Sequence, residues 1–342
     1  MNDSFRIATF NLENLDDRPP PALSLGARIA ALRPILLRLE ADILCLQEVN
    51  AQDHSGPERR QLAALDSLLA GTPYESFDRV WTRDRHGAGA LDVHNLVVLS
   101  RFPILDSAQI RHDLVPAPLY RLVTATPVPL DAAAVEWDRP LLYARIDLGR
   151  GRCLHVVNLH LRAPLAAVVA GQKAGPLTWH SVAGWAEGFF LASIKRTGQA
   201  LEARLFLDRL LSADSAALIA VCGDLNSDLR EMPVRVLLGD SDDTGNPSLA
   251  DHTLWPATTL VPRQARYSVI HASRPVLVDH VLVSASLKSC CRAAEILNQN
   301  LPDEAVPPGA SDYSGSYHAP VVAAFTLIAG AEGLPARGQA TT

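Results

Sequence analysis

The sequence has few cysteines, no long apolar run and no excess of positive charge. Five cysteines among 342 residues are too few for a disulfide framework in a chain of this size. No uninterrupted apolar run approaches the roughly 18 residues of a membrane-spanning helix, and no leader-like segment precedes the first apolar segment, so we expect a cytoplasmic protein. Lysine and arginine total 31 against 37 acidic residues, and the net charge of -6 gives no general attraction to polyanions.

The apolar residues that are present follow the patterns of strands and helices. They make up 48% of the chain, with 20% charged residues, as in compact globular proteins. Residues 29–39 and 62–69 have the spacing of amphipathic helices, and 162–213 begins as a loop and then becomes mostly helical. The predicted strands are 5–10, 42–47, 96–99, 141–146, 153–159, 217–222, 276–283 and 321–327. An α/β fold follows, with strands too scattered for a simple parallel sheet.

Polar residues stand where several predicted strands end. Asn11 and Glu13 follow the first strand, Glu48 ends the second, and Asp224 with Asn226 follows the strand at 217–222. Side chains from distant segments can converge at such an edge. Carboxylate and amide oxygens are the ligands that Mg²⁺, Mn²⁺ and Ca²⁺ prefer. The sequence therefore predicts a metal site at this edge.

Two histidines and one buried acid complete the set. His160 and His318 lie at the margins of apolar runs, where an imidazole can donate a hydrogen bond to an anionic oxygen. Asp279 lies within a strand of valine and leucine, and an unpaired charge there would be costly. We therefore predict that Asp279 pairs with His318.

Each of these residues also has a purely structural interpretation. Taken alone, Asn11 or Asn226 is more often a turn or capping residue. Glu48 could be a solvated charge at a strand end, and His160 a hydrogen-bonded core histidine. Asn95 is a candidate substrate contact or only a loop residue. The combination, rather than any one residue, favours a functional site.

The ordered set of motifs resembles the metal-dependent endonuclease/exonuclease/phosphatase superfamily, which includes deoxyribonucleases, apurinic endonucleases, sphingomyelinases and inositol polyphosphate phosphatases. In family order the motifs are TFNLEN, LQEV, LSRFPI, NLHL, GDLNS, VDHVLVS and YHAPV, and seven motifs in the right order are a specific signal. The resemblance implies a four-layer αββα sandwich of two mixed sheets flanked by helices. We expect one domain over 1–329 with a helical insertion around 162–200, and a disordered tail over 330–342.

The resemblance also implies a role for each residue and a reaction. The metal-binding positions are Asn11, Glu13 and Glu48. The catalytic positions are Asp224, Asn226, His160, Asp279 and His318. The implied reaction is hydrolysis of a phosphoester by an activated water with Mg²⁺ or Mn²⁺. DNA or RNA is the first expected substrate, a phosphorylated lipid, inositol phosphate or small molecule is the second, and a non-catalytic binding scaffold is a further alternative.

The sequence departs from the family pattern in ways that indicate a divergent subfamily. Tyr317 stands directly before His318, where the family has Asp, and Asp312 could supply that carboxylate from a bent loop. Residues 162–178 look inserted, and their apolar run at 165–170 is a candidate lipid contact. Three cations of the following helix are predicted to form a solvated face rather than a phosphate patch. These cations are Lys195, Arg196 and Arg204.

Overall fold

The computed structural model describes residues 3–18, 24–53, 60–84, 87, 89–176, 178–305 and 313–327. The strands are β1 (Ser4–Leu15), β2 (Ile43–Val49), β3 (Asp78–Trp81), β4 (Asn95–Ser100), β5 (Ile104–Ile110), β6 (Leu119–Tyr120), β7 (Ala133–Ala134), β8 (Leu141–Gly149), β9 (Arg152–His160), β10 (Leu218–Asp224), β11 (Leu254–Pro256), β12 (Val269–His271), β13 (Arg274–Val276), β14 (Asp279–Ser284), β15 (Cys291–Ile296) and β16 (Val321–Thr326). The helices are α1 (Leu25–Leu39), α2 (Ala63–Leu69), α3 (Val182–Ala213), α4 (Met232–Leu238) and α5 (Ala285–Cys290). Short 3-10 helices span Pro73–Ser76, Pro247–His252, Ala257–Leu260 and Arg263–Ala265.

Two six-stranded mixed sheets form the centre of the fold. The first has the order β15-β16-β1-β2-β4-β3, and the second has the order β11-β14-β10-β9-β8-β5. Each sheet contains one parallel pair, β1 with β2 and β10 with β9. Parallel neighbours end at the same edge of a sheet. The carboxyl ends of β1 and β2 therefore lie together at one edge of the first sheet, and those of β9 and β10 lie together at one edge of the second sheet. These two edges can face each other.

Alternating burial of the strand residues produces three apolar layers. One face of each sheet packs against the other sheet, through residues such as Ile7 and Cys45 on one side and Val156 and Cys222 on the other. The outer face of the first sheet packs on α1 and α2. The outer face of the second packs on α3 and α4. This arrangement confirms the four-layer αββα sandwich.

One predicted strand needs correction, the helical segment follows its predicted pattern, and the predicted tail lies outside the described residues. The predicted strand over 276–283 is two strands, because the chain leaves β13 after Val276 and β14 begins at Asp279. The described part of the segment that starts at 162 is irregular up to 181 and helical from Val182, as the predicted loop followed by a helix requires. The tail at 330–342 lies outside the described residues.

A small apolar cluster lies beside α3 and apart from the three main layers. Its buried members are Ala125, Val135, Val169 and Leu191. They join chain segments 119–135 and 165–179 to the first half of α3, and we call this unit the apolar lobe. Its surface carries many of the exposed large apolar side chains of the described residues. These are Leu119, Val123, Val128, Leu130, Leu165, Val168, Val182, Trp185, Phe189 and Phe190. No described helix has the length and apolar character needed to cross a membrane.

Candidate functional site

The carboxyl ends of β1, β2, β9 and β10 meet between the two sheets. Asn11 Nδ2 lies 3.2 Å from Glu48 Oε1 and 3.0 Å from Asp224 Oδ2. His160 Nε2 lies 3.6 Å from the same Glu48 oxygen and 3.4 Å from the same Asp224 oxygen. Four residues from four strands thus surround one small volume, and each sheet contributes two of them.

A second histidine approaches Asp224 from the segment before β16. His318 Nδ1 lies 2.8 Å from Asp279 Oδ2, and its Nε2 lies 3.9 Å from Asp224 Oδ2. The structure thus brings together the two residues that the sequence analysis paired. Ser316 fixes this segment, because its hydroxyl donates to the Asn11 carbonyl and accepts the His318 amide hydrogen. The Asp279 bond orients the ring so that Nε2 faces the site.

Asn226 holds Asp224 in place. Its backbone N–H donates to Asp224 Oδ1 at 2.8 Å, and its side-chain amide donates to Asp224 Oδ2 and to the Leu161 carbonyl. Arg196 in turn donates to the Asn226 carbonyl at 3.2 Å. The prediction that Arg196 lies on a solvated helix face is therefore wrong, because the side chain is buried against the loop that carries Asn226.

Asn11 and Glu13 direct their oxygens to backbone groups. The Asn11 Oδ1 atom accepts the Glu13 amide hydrogen at 2.8 Å, and the Glu13 carboxylate accepts the Tyr317 amide hydrogen at 2.7 Å. Arg28 donates to the Glu13 carbonyl at 2.8 Å. In this geometry both residues brace the chain around Tyr317, although the sequence analysis expects both to bind metal. Asp312 lies outside the described residues.

Asn95 lies at the start of β4 with its side chain fully buried. Its Oδ1 accepts hydrogen bonds from the Thr82 hydroxyl and the Leu91 amide, and its Nδ2 donates to the Val49 and Leu91 carbonyls. An amide side chain has two donors and two acceptor sites. All four are used within the protein, so Asn95 has no hydrogen-bonding group left for the predicted substrate contact.

Burial and neighbouring charges shift the pKa values of the site residues in different directions. Burial raises the pKa of Asp224 to about 7; His318 lowers it, while the carboxylates of Asp279 and Glu48 raise it further. Burial, reinforced by nearby guanidinium and imidazole groups, lowers the pKa of His160 well below its usual value. For His318 burial acts to lower the pKa, but neighbouring carboxylates outweigh it and raise the pKa well above the usual range. Of the two imidazoles that face Asp224, the environment therefore favours the neutral form of His160 and the charged form of His318.

Several site residues adopt a left-handed backbone conformation, which non-glycine residues seldom do. They are Glu13, Asn14, Glu48, His94 and Asn226, with φ between 48° and 57°. Gly223, directly before Asp224, has a φ of 144°. A Cβ atom there would lie 1.8 Å from the Leu159 carbonyl oxygen, so only glycine fits. Such strain is stored where the surrounding structure fixes side chains for function.

A buried polar bridge joins the two sheets beneath the site. Gln47 in β2 donates to Asn158 Oδ1 in β9 at 2.7 Å. The Asn158 amide donates to the Leu46 and Val97 carbonyls of the first sheet at 3.0 Å each. Gln47 directly precedes Glu48, and Asn158 lies two residues before His160. The bridge therefore fixes the two halves of the site relative to each other.

Two site residues were not singled out from the sequence. His94 Nε2 lies 2.7 Å from Asn14 Oδ1, and Arg139 Nη2 lies 2.9 Å from His94 Nδ1. Arg139 Nη1 also donates to the His160 carbonyl at 3.1 Å. Burial and the neighbouring Arg139 lower the pKa of His94. Both residues lie outside regular strands, so no periodicity in the sequence marks them; only their positions before β4 and β8 do.

A basic rim lies next to Arg139. Asp138 binds Arg162 Nη1 at 2.8 Å and Lys195 Nζ at 2.7 Å. One carboxylate thus holds two cations, and the adjacent guanidinium adds a third positive charge. The rim is positive although the whole chain carries a net charge of -6.

The donor set fits a hard divalent cation. Ligand atoms of Glu48, His160 and Asp224 lie within 4.8 Å of one another, and so do those of Asp224, Asp279 and His318. The raised pKa of Asp224 reflects burial among carboxylates whose negative charge a cation would offset. Glu48 and Asp224 are the carboxylates best placed to hold such an ion.

The chain was compared with known proteins. A profile of the endonuclease/exonuclease/phosphatase family matches residues 8–318. Truncated TDP2 from Caenorhabditis elegans has 15% identity and a TM-score of 0.53, covering 95% of this chain and 98% of that chain. Humanized D. rerio TDP2 has 14% identity and a TM-score of 0.54, covering 95% and 100%. The endonuclease/exonuclease/phosphatase from Beutenbergia cavernae has 18% identity and a TM-score of 0.52, covering 95% and 72%. No curated protein matches the chain.

At these identities the solved structures establish the shared fold alone. The family profile spans nearly all of the described chain, from β1 to the second site histidine. The chain therefore belongs to the endonuclease/exonuclease/phosphatase family, whose members hydrolyse phosphoester bonds.

Proposed function

We propose that this protein is a metal-dependent phosphodiesterase that cleaves DNA or RNA by activating a water molecule. The observation that carries the proposal is the convergence of Glu48, Asp224, His160 and His318 on one volume between the sheets. Two carboxylates and two oppositely protonated imidazoles provide a cation site, a proton acceptor and two donors for an anionic phosphate.

Glu48 and Asp224 would hold Mg²⁺ or Mn²⁺, with Asn11 holding both carboxylates in position. The bound ion would supply electrostatic stabilisation of the phosphoryl oxygens and the leaving group. Glu13 would support this arrangement indirectly, by fixing the Tyr317 backbone beside the site.

The protein's own side chains supply the remaining chemistry. Asp224 would orient or deprotonate the attacking water. His318, held charged by Asp279, would donate a hydrogen bond to the developing negative charge. His160 would donate from Nε2 as a neutral imidazole. Asn226 would keep Asp224 in its working orientation through two hydrogen bonds.

The basic rim supports nucleic acid as the substrate. Arg139, Arg162 and Lys195 lie beside the site and could contact phosphates that flank the scissile one. A locally positive rim on an acidic protein favours contact limited to a few phosphates over tight, nonspecific binding of a long duplex.

The test is cleavage of plasmid and single-stranded DNA and RNA with Mg²⁺ or Mn²⁺, next to EDTA and His318→Ala controls. Cleavage that requires metal and is lost in the variant would support the proposal. Intact metal binding without cleavage of any nucleic acid would refute the assigned substrate. Cleavage that persists in His318→Ala would indicate a contaminating nuclease.

The apolar lobe favours a second candidate, a phosphodiesterase acting on phospholipids. Trp185 and Phe190 are exposed on α3, and Leu165 and Val168 are exposed on the preceding segment; exposed apolar groups of this kind can enter a bilayer surface. Metal-dependent release of a soluble phosphoester from phospholipid vesicles would identify this activity. Its loss in Trp185→Ala/Phe190→Ala, with hydrolysis of a soluble diester retained, would assign the lobe to lipid contact.

A further inference from the structure

His94 occupies a position that the proposed reaction leaves unexplained. It directly precedes β4, with a left-handed φ of 57° and a half-buried side chain. Its ring centroid lies 6.1 Å from that of His160. A non-glycine residue in this backbone conformation is held there by its surroundings at some energetic cost.

The two hydrogen bonds of His94 determine its protonation state. Arg139 Nη2 lies 2.9 Å from Nδ1, and a guanidinium can only donate. Nδ1 must therefore accept, and the ring hydrogen must lie on Nε2. From there it points to Asn14 Oδ1 at 2.7 Å. The ring is neutral and joins one donor to one acceptor.

Both neighbours of His94 reach the site on opposite sheets. The Asn14 backbone N–H donates to Glu48 Oε2 at 3.0 Å, at the end of β2. Arg139 donates to the carbonyl of His160 at 3.1 Å, at the end of β9. Removing the imidazole would leave the Asn14 side chain without this contact, and would leave the Arg139 guanidinium with its bond to the His160 carbonyl but without the bond that fixes its other end.

We propose that His94 is a positioning residue that holds the Arg139 guanidinium toward the reacting phosphate and steadies Glu48 through Asn14. This inference rests on the proposed function. The Arg139 guanidinium uses one N–H for the His94 ring and one for the His160 carbonyl. It retains further N–H donors for an anionic oxygen. His94 thus acts through Arg139, and the phosphate is contacted by Arg139.

The backbone conformation suggests two matched variants. His94→Gly removes the ring, and glycine adopts a positive φ without strain. His94→Asn keeps an acceptor that can face Arg139, and asparagine tolerates this backbone region. His271→Gly is the control, because this exposed histidine pairs with Glu304, which is not a residue of the site.

The experiment is a kinetic cycle of His94→Gly and Arg139→Ala, with metal binding followed by thermal shift. We expect His94→Gly to lower kcat/KM by about 10- to 100-fold, as for a displaced catalytic group. In the Arg139→Ala background the same change should cost less than about threefold, because only the weaker effect through Asn14 is then left to lose. His94→Asn should recover most of the activity, and His271→Gly should match the wild type.

Equal losses from His94→Gly in both backgrounds, or none in either, would overturn the inference while leaving the proposed function intact. A wild-type protein that binds metal but cleaves no phosphoester would overturn the proposed function itself. Nitrogen NMR of the imidazole rings gives a readout that does not depend on turnover. A proton on Nδ1 of His94 would contradict the assigned role. A proton on Nε2 alone in the wild type, with both tautomers populated in Arg139→Ala, would support it.

Discussion

His160 and His318 approach the same oxygen of Asp224 from opposite environments. His160 is buried near cationic groups, and within the described chain its Nδ1 has no hydrogen-bond partner. His318 is somewhat more open, with 13% of its side chain exposed against 3% for His160, and its Nδ1 is bound to the Asp279 carboxylate. Burial acts alike on both rings, so the difference in charge comes from the neighbours. At His318 the Asp279 carboxylate behind the ring, together with the Asp224 and Glu48 carboxylates, reverses the effect of burial on the pKa.

This comparison makes Asp224, which both rings face, the most sensitive position. We expect Asp224→Asn to lower kcat by about 10⁴-fold, at the upper end for loss of an acid–base group. Asn226→Ala is the companion variant and should cost less, because Asp224 then remains with fewer hydrogen bonds. Steady-state kinetics on the identified substrate measure both. Activity of Asp224→Asn within tenfold of the wild type would remove Asp224 from the mechanism.

The next test separates the two rings by their dependence on Asp279. His318→Gln and Asp279→Asn should each reduce kcat by about 10²- to 10³-fold, as for loss of one donor to a developing charge. Their double variant should be little worse than either single one, because both changes disable the same donor. His160→Gln combined with Asp279→Asn should instead show losses that multiply. Multiplying losses for His318 and Asp279 would show that the pair does not act as a unit.

Stability without metal should depend on pH in opposite directions for the two rings. The pKa of His318 is higher in the folded state than in the unfolded state. The stabilisation that His318 contributes is therefore present below about pH 6.5 and is lost as pH rises through the raised folded-state pKa. The folded-state pKa of His160 is lowered, so its contribution is present above about pH 6.5 and is lost as pH falls toward that pKa. Each slope is at most about 1.4 kcal/mol per pH unit.

Unfolding in urea and EDTA across pH 5 to 9 measures these slopes. His318→Gln should remove the decrease in the free energy of unfolding at alkaline pH. His160→Gln should remove the decrease at acid pH. A variant of His318 that flattens the acid side instead would reverse the assignment. Asp224 opposes the His160 slope, because its folded-state pKa of about 7 lies above the ordinary value of 3.8, so its stabilisation falls as pH rises from about 4 to about 7.

The smallest expected effect lies outside both rings, at the basic rim. Lys195→Ala breaks a partly exposed pair with Asp138, and such pairs contribute about 0 to 1 kcal/mol. We expect a change of at most about threefold in kcat/KM at low salt, consistent with loss of one phosphate contact, and none at high salt. A loss that is independent of salt would place Lys195 closer to the reacting phosphate.

The central strands could be predicted from the sequence, and the edge strands could not. Residues 5–10 and 153–159 belong to strands buried on both faces, so the apolar residues run nearly without a break. β5 lies at a sheet edge with mostly exposed side chains and the sequence ILDSAQI. Such a strand is held by backbone pairing to its neighbour and not by an apolar pattern.

The acids and histidines of the candidate site could be singled out because they lie at or next to the ends of recognisable strands. Arg139 and His94 could not, since their roles depend on the way two loops meet across the sheets. Arg204 was also misinterpreted as solvated. It is buried and donates to the Leu237 carbonyl of α4, a tertiary contact that helical spacing does not reveal.

The bridge between Gln47 and Asn158 has a mechanical consequence for the gap in which the ion and the phosphate would lie. Apolar contacts align two faces only through the fit of their side chains, because dispersion itself has no preferred direction. A buried amide pair resists such sliding, because a small shift breaks hydrogen bonds that water cannot replace. The separation between Glu48 and Asp224 is thereby set by the rigid interior, while the surrounding loops are free to change in sequence and length.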